Sequence, residues 1–295
     1  MRNPLSKTIE QIKPSGIRKF FDIVSEMPHA ISLGVGEPDF DTPWHVRSEG
    51  IRSLEKGRTF YTSNSGLIEL RQEICKWYQR KYNVLYDYKT EALLTVGGSE
   101  GIDVALRAML DPGDEVIIPE PCYVSYVPCV QLIGAVPVTI ELKNENQFRL
   151  TSEELLAAIT DKTKILILAF PSNPTGAVMT KEDLEPIAKI CQEKDIYVIS
   201  DEIYSELTYG GQKHCSISSL PGMKERTIVI NGFSKAYAMT GWRLGYALAP
   251  EVIAHQMTKI HQFAIMCAPT TSQYAAIEAI KNGDADIEKM CKSYD

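Results

Sequence analysis

Apolar residues along this chain fall into two rhythms. Short, nearly continuous runs at residues 92–96, 115–118, 136–140, 164–169, 196–200 and 227–230 read as strands. The run at 164–169 lacks polar alternation, the pattern of a parallel strand covered on both faces. Between the runs, apolar positions recur with helical period: Ile102, Ala105, Leu106 and Met109 form one stripe, and Leu184, Ile187, Ala188 and Cys191 another. Thr180 with Asp183 approximates a capping box for the second, and a further helix is predicted near 152–160. Upstream, Leu67, Leu70, Ile74 and Trp77 share a helix face, and Ser15 caps a short helix presenting Ile17, Phe20, Phe21 and Val24. Alternation of strand and helix predicts an α/β protein, a three-layer, mostly parallel sheet with helices on both faces. Residues 244–249 follow the strand at 227–230 too closely for a parallel crossover containing a helix, so that strand is expected to run antiparallel.

The strand ends carry the chemistry. After 227–230 comes Asn231-Gly-Phe-Ser-Lys-Ala-Tyr-Ala-Met-Thr-Gly-Trp-Arg-Leu-Gly-Tyr246, with Lys235 beside Ser234 and Arg243 a few residues on. Gly232, Gly241 and Gly245 let the backbone bend there. A lysine so placed suits an imine with a carbonyl whose attached phosphate the neighbours hold, which suggests pyridoxal phosphate. Taken alone the segment also reads as a surface loop with one snorkelling lysine. Residues 97–101, Gly-Gly-Ser-Glu-Gly, lie between a strand and a helix, so amides around Gly98, Ser99 and Glu100 form an anion site. They lack the Gly-x-Gly-x-x-Gly spacing of a dinucleotide fold and the Gly-Lys-Ser/Thr of a Walker loop. Tyr123 follows the strand at 115–118 and reads either as a core or interface residue or as a stacking partner for a planar ring. Asn173 stands between prolines past the strand at 164–169, and Asp201 and Tyr204 follow the strand at 196–200. An ionised Asp201 about 4 Å from a pyridine nitrogen is worth roughly 4 kcal/mol at an effective dielectric near 20, about three pK units, enough to keep the ring protonated. Asn173 and Tyr204 can donate to the ring's phenolate oxygen. Nearer the N-terminus, Gly34 and Gly36 interrupt an extended stretch, and Tyr61 sits in a polar loop with no core to join.

Composition narrows the partners. The chain has 295 residues, with 31 Lys and Arg against 38 Asp and Glu and a net charge of -7, and no basic track for nucleic acid. The seven cysteines are scattered and nowhere spaced as Cys-x-x-Cys, so neither a metal site nor a disulfide framework is indicated. No run reaches the ~18 apolar residues of a membrane span, and the N-terminus has no apolar signal core. A cytoplasmic protein is expected.

Phe170-Pro-Ser-Asn-Pro-Thr-Gly176, Ser200-Asp-Glu-Ile-Tyr204 and Ser234-Lys-Ala-Tyr-Ala-Met-Thr-Gly-Trp-Arg-Leu-Gly245 resemble the signatures of class I/II aminotransferases, pyridoxal phosphate enzymes of fold type I. The opening Gly-Val-Gly-Glu-Pro-Asp-Phe-Asp-Thr-Pro and the Tyr61 segment are similar to the aspartate and broad-specificity branch. The resemblance implies amino-group transfer between an L-amino acid and a 2-oxo acid. It implies that Lys235 carries the cofactor and serves as general base, that Asp201 and Tyr204 tune the ring, and that Tyr123 stacks on it. Gly36 and Asn173 would line the substrate site, and Tyr61 would reach the phosphate of a neighbouring subunit in a homodimer. Residues 1–44 would be an N-terminal arm and part of a small domain, 45–285 the cofactor domain, and 286–295 the start of a small-domain segment. Family members continue into a segment that supplies an arginine for the substrate carboxylate, whereas no arginine follows Arg243 here. The expectation is therefore a truncated chain, its small domain incomplete, that binds cofactor better than it turns over substrate. A carbon-sulfur lyase on the same cofactor, a non-catalytic protein of this fold and a nicotinamide dehydrogenase are the alternatives.

Overall fold

The computed structural model describes residues 2–14, 23, 26–27, 29 and 36–295. The helix expected to present Ile17, Phe20, Phe21 and Val24, together with Ser15 and Gly34, lies outside the described residues. In chain order the helices are α1 (Lys7–Gln11), α2 (Trp44–Glu55), α3 (Ile68–Tyr82), α4 (Gly97–Met109), α5 (Tyr126–Leu132), α6 (Ser152–Ala158), α7 (Lys181–Glu193), α8 (Glu251–Ala264), α9 (Thr270–Asn282) and α10 (Asp284–Tyr294). The strands are β1 (Ala92–Thr95), β2 (Glu115–Glu120), β3 (Val136–Glu141), β4 (Thr163–Ala169), β5 (Tyr197–Asp201), β6 (Thr227–Gly232) and β7 (Gly245–Leu248). They form one sheet in the order β1-β7-β6-β5-β4-β2-β3. β2 through β6 run parallel, whereas β7 pairs antiparallel with both β1 and β6, as the short connection required.

Alternation along the strands splits the interior into layers. Ile165 and Ile167 face a cluster that holds Ile102, Ala105 and Leu106 of α4 with Ala254 and Met257 of α8. Leu166 and Leu168 face the opposite cluster, with Leu184, Ile187 and Cys191 of α7. Thr180 and Asp183 complete a reciprocal capping box at the start of α7, and Thr151 with Glu154 does the same for α6. A third cluster packs Ile74, Trp77 and Tyr78 of α3 against Tyr246 of β7. Among the described residues, no helix is long and apolar enough to cross a membrane.

One boundary differs from the sequence reading. Residues 97–101 are not a turn before a helix but the first turn of α4 itself. Gly97 makes the bend alone at φ +73°, a left-handed conformation that a side chain resists. Beneath it, a Cβ at Gly245 would lie 2.6 Å from the Gly97 carbonyl carbon and 2.6 Å from the Gly98 nitrogen. Gly245 in turn pairs with Gly232, where a Cβ would meet the Gly245 Cα at 2.9 Å. Bare backbone on β6 and β7 is what lets α4 seat so close to the sheet.

We expect Gly245→Ala to lower stability by roughly 1–3 kcal/mol in urea titration, because backbone on both sides has no room to retreat. Gly241→Ala, where a Cβ meets nothing within 4 Å, is the control and should change little. Equal stability of the two variants would contradict the seating described here.

Candidate active site

Parallel β1, β2, β4, β5 and β6 all end at one edge of the sheet, and β7, running the other way, begins there. That edge is where open α/β sheets hold ligands. β5 delivers Asp201 and Tyr204, β4 leads to Asn173, β2 to Tyr123 and β6 to Ser234 and Lys235, while Arg243 stands just before β7.

Asp201 is buried, with 8% of its surface exposed. Its Oδ2 accepts a hydrogen bond from the Tyr126 hydroxyl at 2.8 Å and its Oδ1 accepts from the Ile203 amide at 3.1 Å. Burial holds its carboxyl above the usual carboxylate range, and the Tyr126 and Ile203 donors pull partly back. Its neighbour Glu202 lies on the other face, as strand alternation requires. There Ser200, Ser216 and Tyr78 hydroxyls donate to it at 3.0, 2.6 and 3.0 Å. Glu202 is thus occupied in fixing the end of β5, and Asp201 is the carboxylate left to the edge.

Tyr204, Asn173, Tyr123 and Asp201 are electrostatic neighbours. Burial raises the Tyr204 hydroxyl pKa, the Asp201 charge adds to that, and a hydrogen bond with Asn173 opposes it. Tyr123 meets Tyr126 edge-on, ring centroids 5.6 Å apart. The Lys235 amine sits 5.7 Å from the Tyr204 ring centre and donates to the Gly36 carbonyl oxygen. Its pKa is lowered, first by burial; the Glu37 carboxylate opposes this and the Arg243 cation adds to it. A lowered amine pKa enlarges the neutral, reactive fraction at neutral pH.

Beside this group lies an anion cup. Arg243 Nη2 is 2.5 Å from where a Cβ of Gly97 would be, so the guanidinium lies against the start of α4. Helix geometry leaves the amides of Val96, Gly97, Gly98 and Ser99 without partners inside α4. Glu100 takes the first of these itself, its Oε2 accepting from Val96 N–H at 2.5 Å. Its own amide is the first to enter the helical ladder, so the open amides run from Gly97 to Ser99 and Glu100 contributes chiefly its side chain. A helix N-terminus and a guanidinium facing one space suit a phosphate. Ser234, next in sequence to Lys235, is buried.

The structure therefore brings together Gly36, Tyr123, Asn173, Asp201, Tyr204 and Lys235 at the edge, with Gly98, Ser99, Glu100 and Arg243 at the cup and Ser234 adjoining Lys235 in the chain. Tyr61 stands apart, 80% exposed. Its flanking residues are tied elsewhere: the Phe60 carbonyl accepts from Thr270 and the Thr62 hydroxyl oxygen from Gln273. Sequence reasoning missed Tyr126 as the partner of Asp201, 75 positions away, and Tyr126 carries no local signal that separates it from a core tyrosine. It also missed His261, whose Nδ1 lies 2.6 Å from Glu100 Oε1, and nothing local in the sequence marks that pair.

Residues 28–294 match the family Aminotransferase class I and II. The chain is 52% identical to a putative aminotransferase, YugH, of Bacillus subtilis, over 100% of its own length and 76% of the relative's. It is 45% identical to an aspartate aminotransferase of Pyrococcus abyssi, over 99% of this chain and 75% of that one. It superimposes on the crystal structure of an aromatic aminotransferase from Pyrococcus horikoshii with a TM-score of 0.88 and 45% identity, covering 95% of this chain and 74% of that one. These findings do not favour a carbon-sulfur lyase, a dehydrogenase or a non-catalytic protein on the same fold. The chain belongs to the class I and II aminotransferases, enzymes that move an amino group between amino acids and 2-oxo acids.

Proposed function

We propose that the amino transfer runs on pyridoxal 5'-phosphate held at Lys235, from an L-amino acid to a 2-oxo acid. The observation that carries this reading is a half-buried amine of lowered pKa that lies 5.7 Å from the Tyr204 ring centre and beside Arg243 of the anion cup. The donor set fits the cofactor part by part. Arg243, Ser234 and the amides from Gly97 to Ser99, next to Glu100, would hold the phosphate. Tyr123 would lie on the ring, Asn173 and the Tyr204 hydroxyl would donate to its oxygen, and Asp201 would face its nitrogen. Bound there, pyridoxal phosphate supplies an electron sink for the pair released when a substrate Cα–H bond breaks.

The remaining work falls to the chain. Lys235, neutral, takes the Cα proton and returns it at the far end of the transfer. Asp201 keeps a negative charge where the ring nitrogen needs a proton, a role that its burial makes costly without a cation and strong with one. Gly36 and Asn173 border the space in which the substrate would sit.

The second set of proposals concerns assembly. Phe60, Tyr61, Phe263, Ile265 and Met266 are exposed, and Asn64 Nδ2 donates to the Met266 carbonyl, tying the two segments into one apolar face. That face supports a homodimer in which Tyr61 reaches the phosphate cup of the other copy. Asp39 N–H donates to the Tyr294 hydroxyl at 3.1 Å and Phe40 meets the Tyr294 ring edge-on. These contacts support grouping 1–44 with 286–295 as parts of a small domain, apart from a cofactor domain at 45–285. Seven free cysteines suit a reducing compartment, and we place the enzyme in the cytoplasm.

Lys235→Ala should leave the fold intact, abolish the visible absorbance band of the cofactor-loaded chain and slow Cα-hydrogen exchange by about 10²–10⁴-fold. A wild-type band and exchange rate in that variant would contradict the assignment.

Asp201→Asn should lose most Cα exchange yet stabilise the cofactor-free protein. Burial raises the Asp201 pKa in the folded state, so its contribution is most favourable below the ordinary aspartate pKa and is lost as pH rises through the folded value. At pH 7 the wild type bears that penalty and the amide does not. Thermal unfolding should therefore give the variant the higher Tm at pH 7, with the gap narrowing toward about pH 4. A lower Tm for Asp201→Asn at pH 7 would contradict this account.

A further inference from the structure

Glu100 sits in the first turn of α4, the turn that the proposed function makes the phosphate site, and the present inference rests on that reading. An ionised side chain there competes with any incoming phosphate, by repelling it or by folding onto the free amides itself. Both its oxygens are already occupied. Oε2 accepts from Val96 N–H at 2.5 Å, and Oε1 lies 2.6 Å from Nδ1 of His261 on α8. His261 has none of its side chain exposed, and the Glu100 side chain is 12% exposed, so this second contact is enclosed by protein. An ionised carboxylate is an acceptor only, which assigns the hydrogen of the pair to Nδ1. Nε2 finds no hydrogen-bond partner among the described residues. Among the described residues the imidazole therefore has one polar contact, and it is with Glu100.

We propose that His261 is a positioning residue for the phosphate cup: it holds Glu100 onto Val96 and so keeps the Gly97, Gly98 and Ser99 amides open to the cofactor's phosphate. Val96 N–H, which would otherwise compete for that anion, is satisfied by the same carboxylate. His261 touches neither phosphate nor reacting atoms. Its effect is confined to the phosphate end of the cofactor, which separates it from a general packing role.

The test compares binding of pyridoxal 5'-phosphate and of pyridoxal, which lacks the phosphate, to the full chain stripped of cofactor, by visible absorbance. The variants are His261→Leu, which removes the donor, and His261→Asn, whose amide nitrogen falls where Nδ1 was. His261→Leu should bind pyridoxal phosphate about tenfold more weakly and pyridoxal within about twofold of wild type, with His261→Asn close to wild type for both. Adding Glu100→Gln to His261→Leu should recover much of the lost affinity, since the competing charge is gone. Equal loss for both ligands, or no loss in His261→Leu, would overturn the inference. Should His261→Leu fail to fold, His261→Gln replaces it: its longer amide misses the Nδ1 position, and affinity for pyridoxal phosphate equal to that of His261→Asn would overturn the inference too. Wild-type chain that binds pyridoxal phosphate no better than pyridoxal would sink the cup assignment itself, and this inference with it.

Discussion

Four glycines in contact set the geometry of the site. Gly232 on β6 and Gly245 on β7 present bare backbone to each other, and Gly245 presents it again to Gly97 and Gly98. Each approach leaves less room than a methyl group needs. The start of α4, the loop carrying Lys235 and Arg243, two residues before β7, are thereby drawn to one place. Positive charge from a helix end and from a guanidinium gathers beside a lysine without any of the three having to reach far. Long side chains would have needed ordering entropy to do the same.

The charges so gathered are held in strained protonation states before any ligand arrives. Burial raises the Asp201 carboxyl and lowers the Lys235 amine, in each case against the charged form. Two donors on Asp201 moderate the first shift, and Glu37 moderates the second. A ligand that brings a protonatable nitrogen to Asp201 and an anion to Arg243 relieves these penalties. Under the proposed function, cofactor binding would offset these penalties, so stability is given up at the residues proposed to hold it.

Much of this was legible in the sequence because it depends on short-range pattern. The apolar runs gave the strands to within a residue or two, the brevity of 231–243 gave β7 its direction, and Thr180 with Asp183 gave a helix start. Asn173, Asp201 and Lys235 were readable because each follows directly on a buried strand, so strand order alone carries them to one edge. What escaped depends on pairs distant in sequence. Tyr126 serves Asp201 across 75 positions and His261 serves Glu100 across 161, and neither tyrosine nor histidine differs locally from a core residue. The start of α4 at Gly97 was hidden for a related reason. Glycine-rich segments read as turns, and only the seat on Gly245 and the cap from Glu100 turn this one into helix.

The central claim is that one lysine carries the cofactor at this edge. Reduction of the pyridoxal-phosphate-loaded chain with borohydride, followed by proteolysis and mass mapping, reads that attachment directly. The account predicts a single stable phosphopyridoxyl label on the peptide containing Lys235. A label on any other lysine, or spread over several surface lysines, would contradict it.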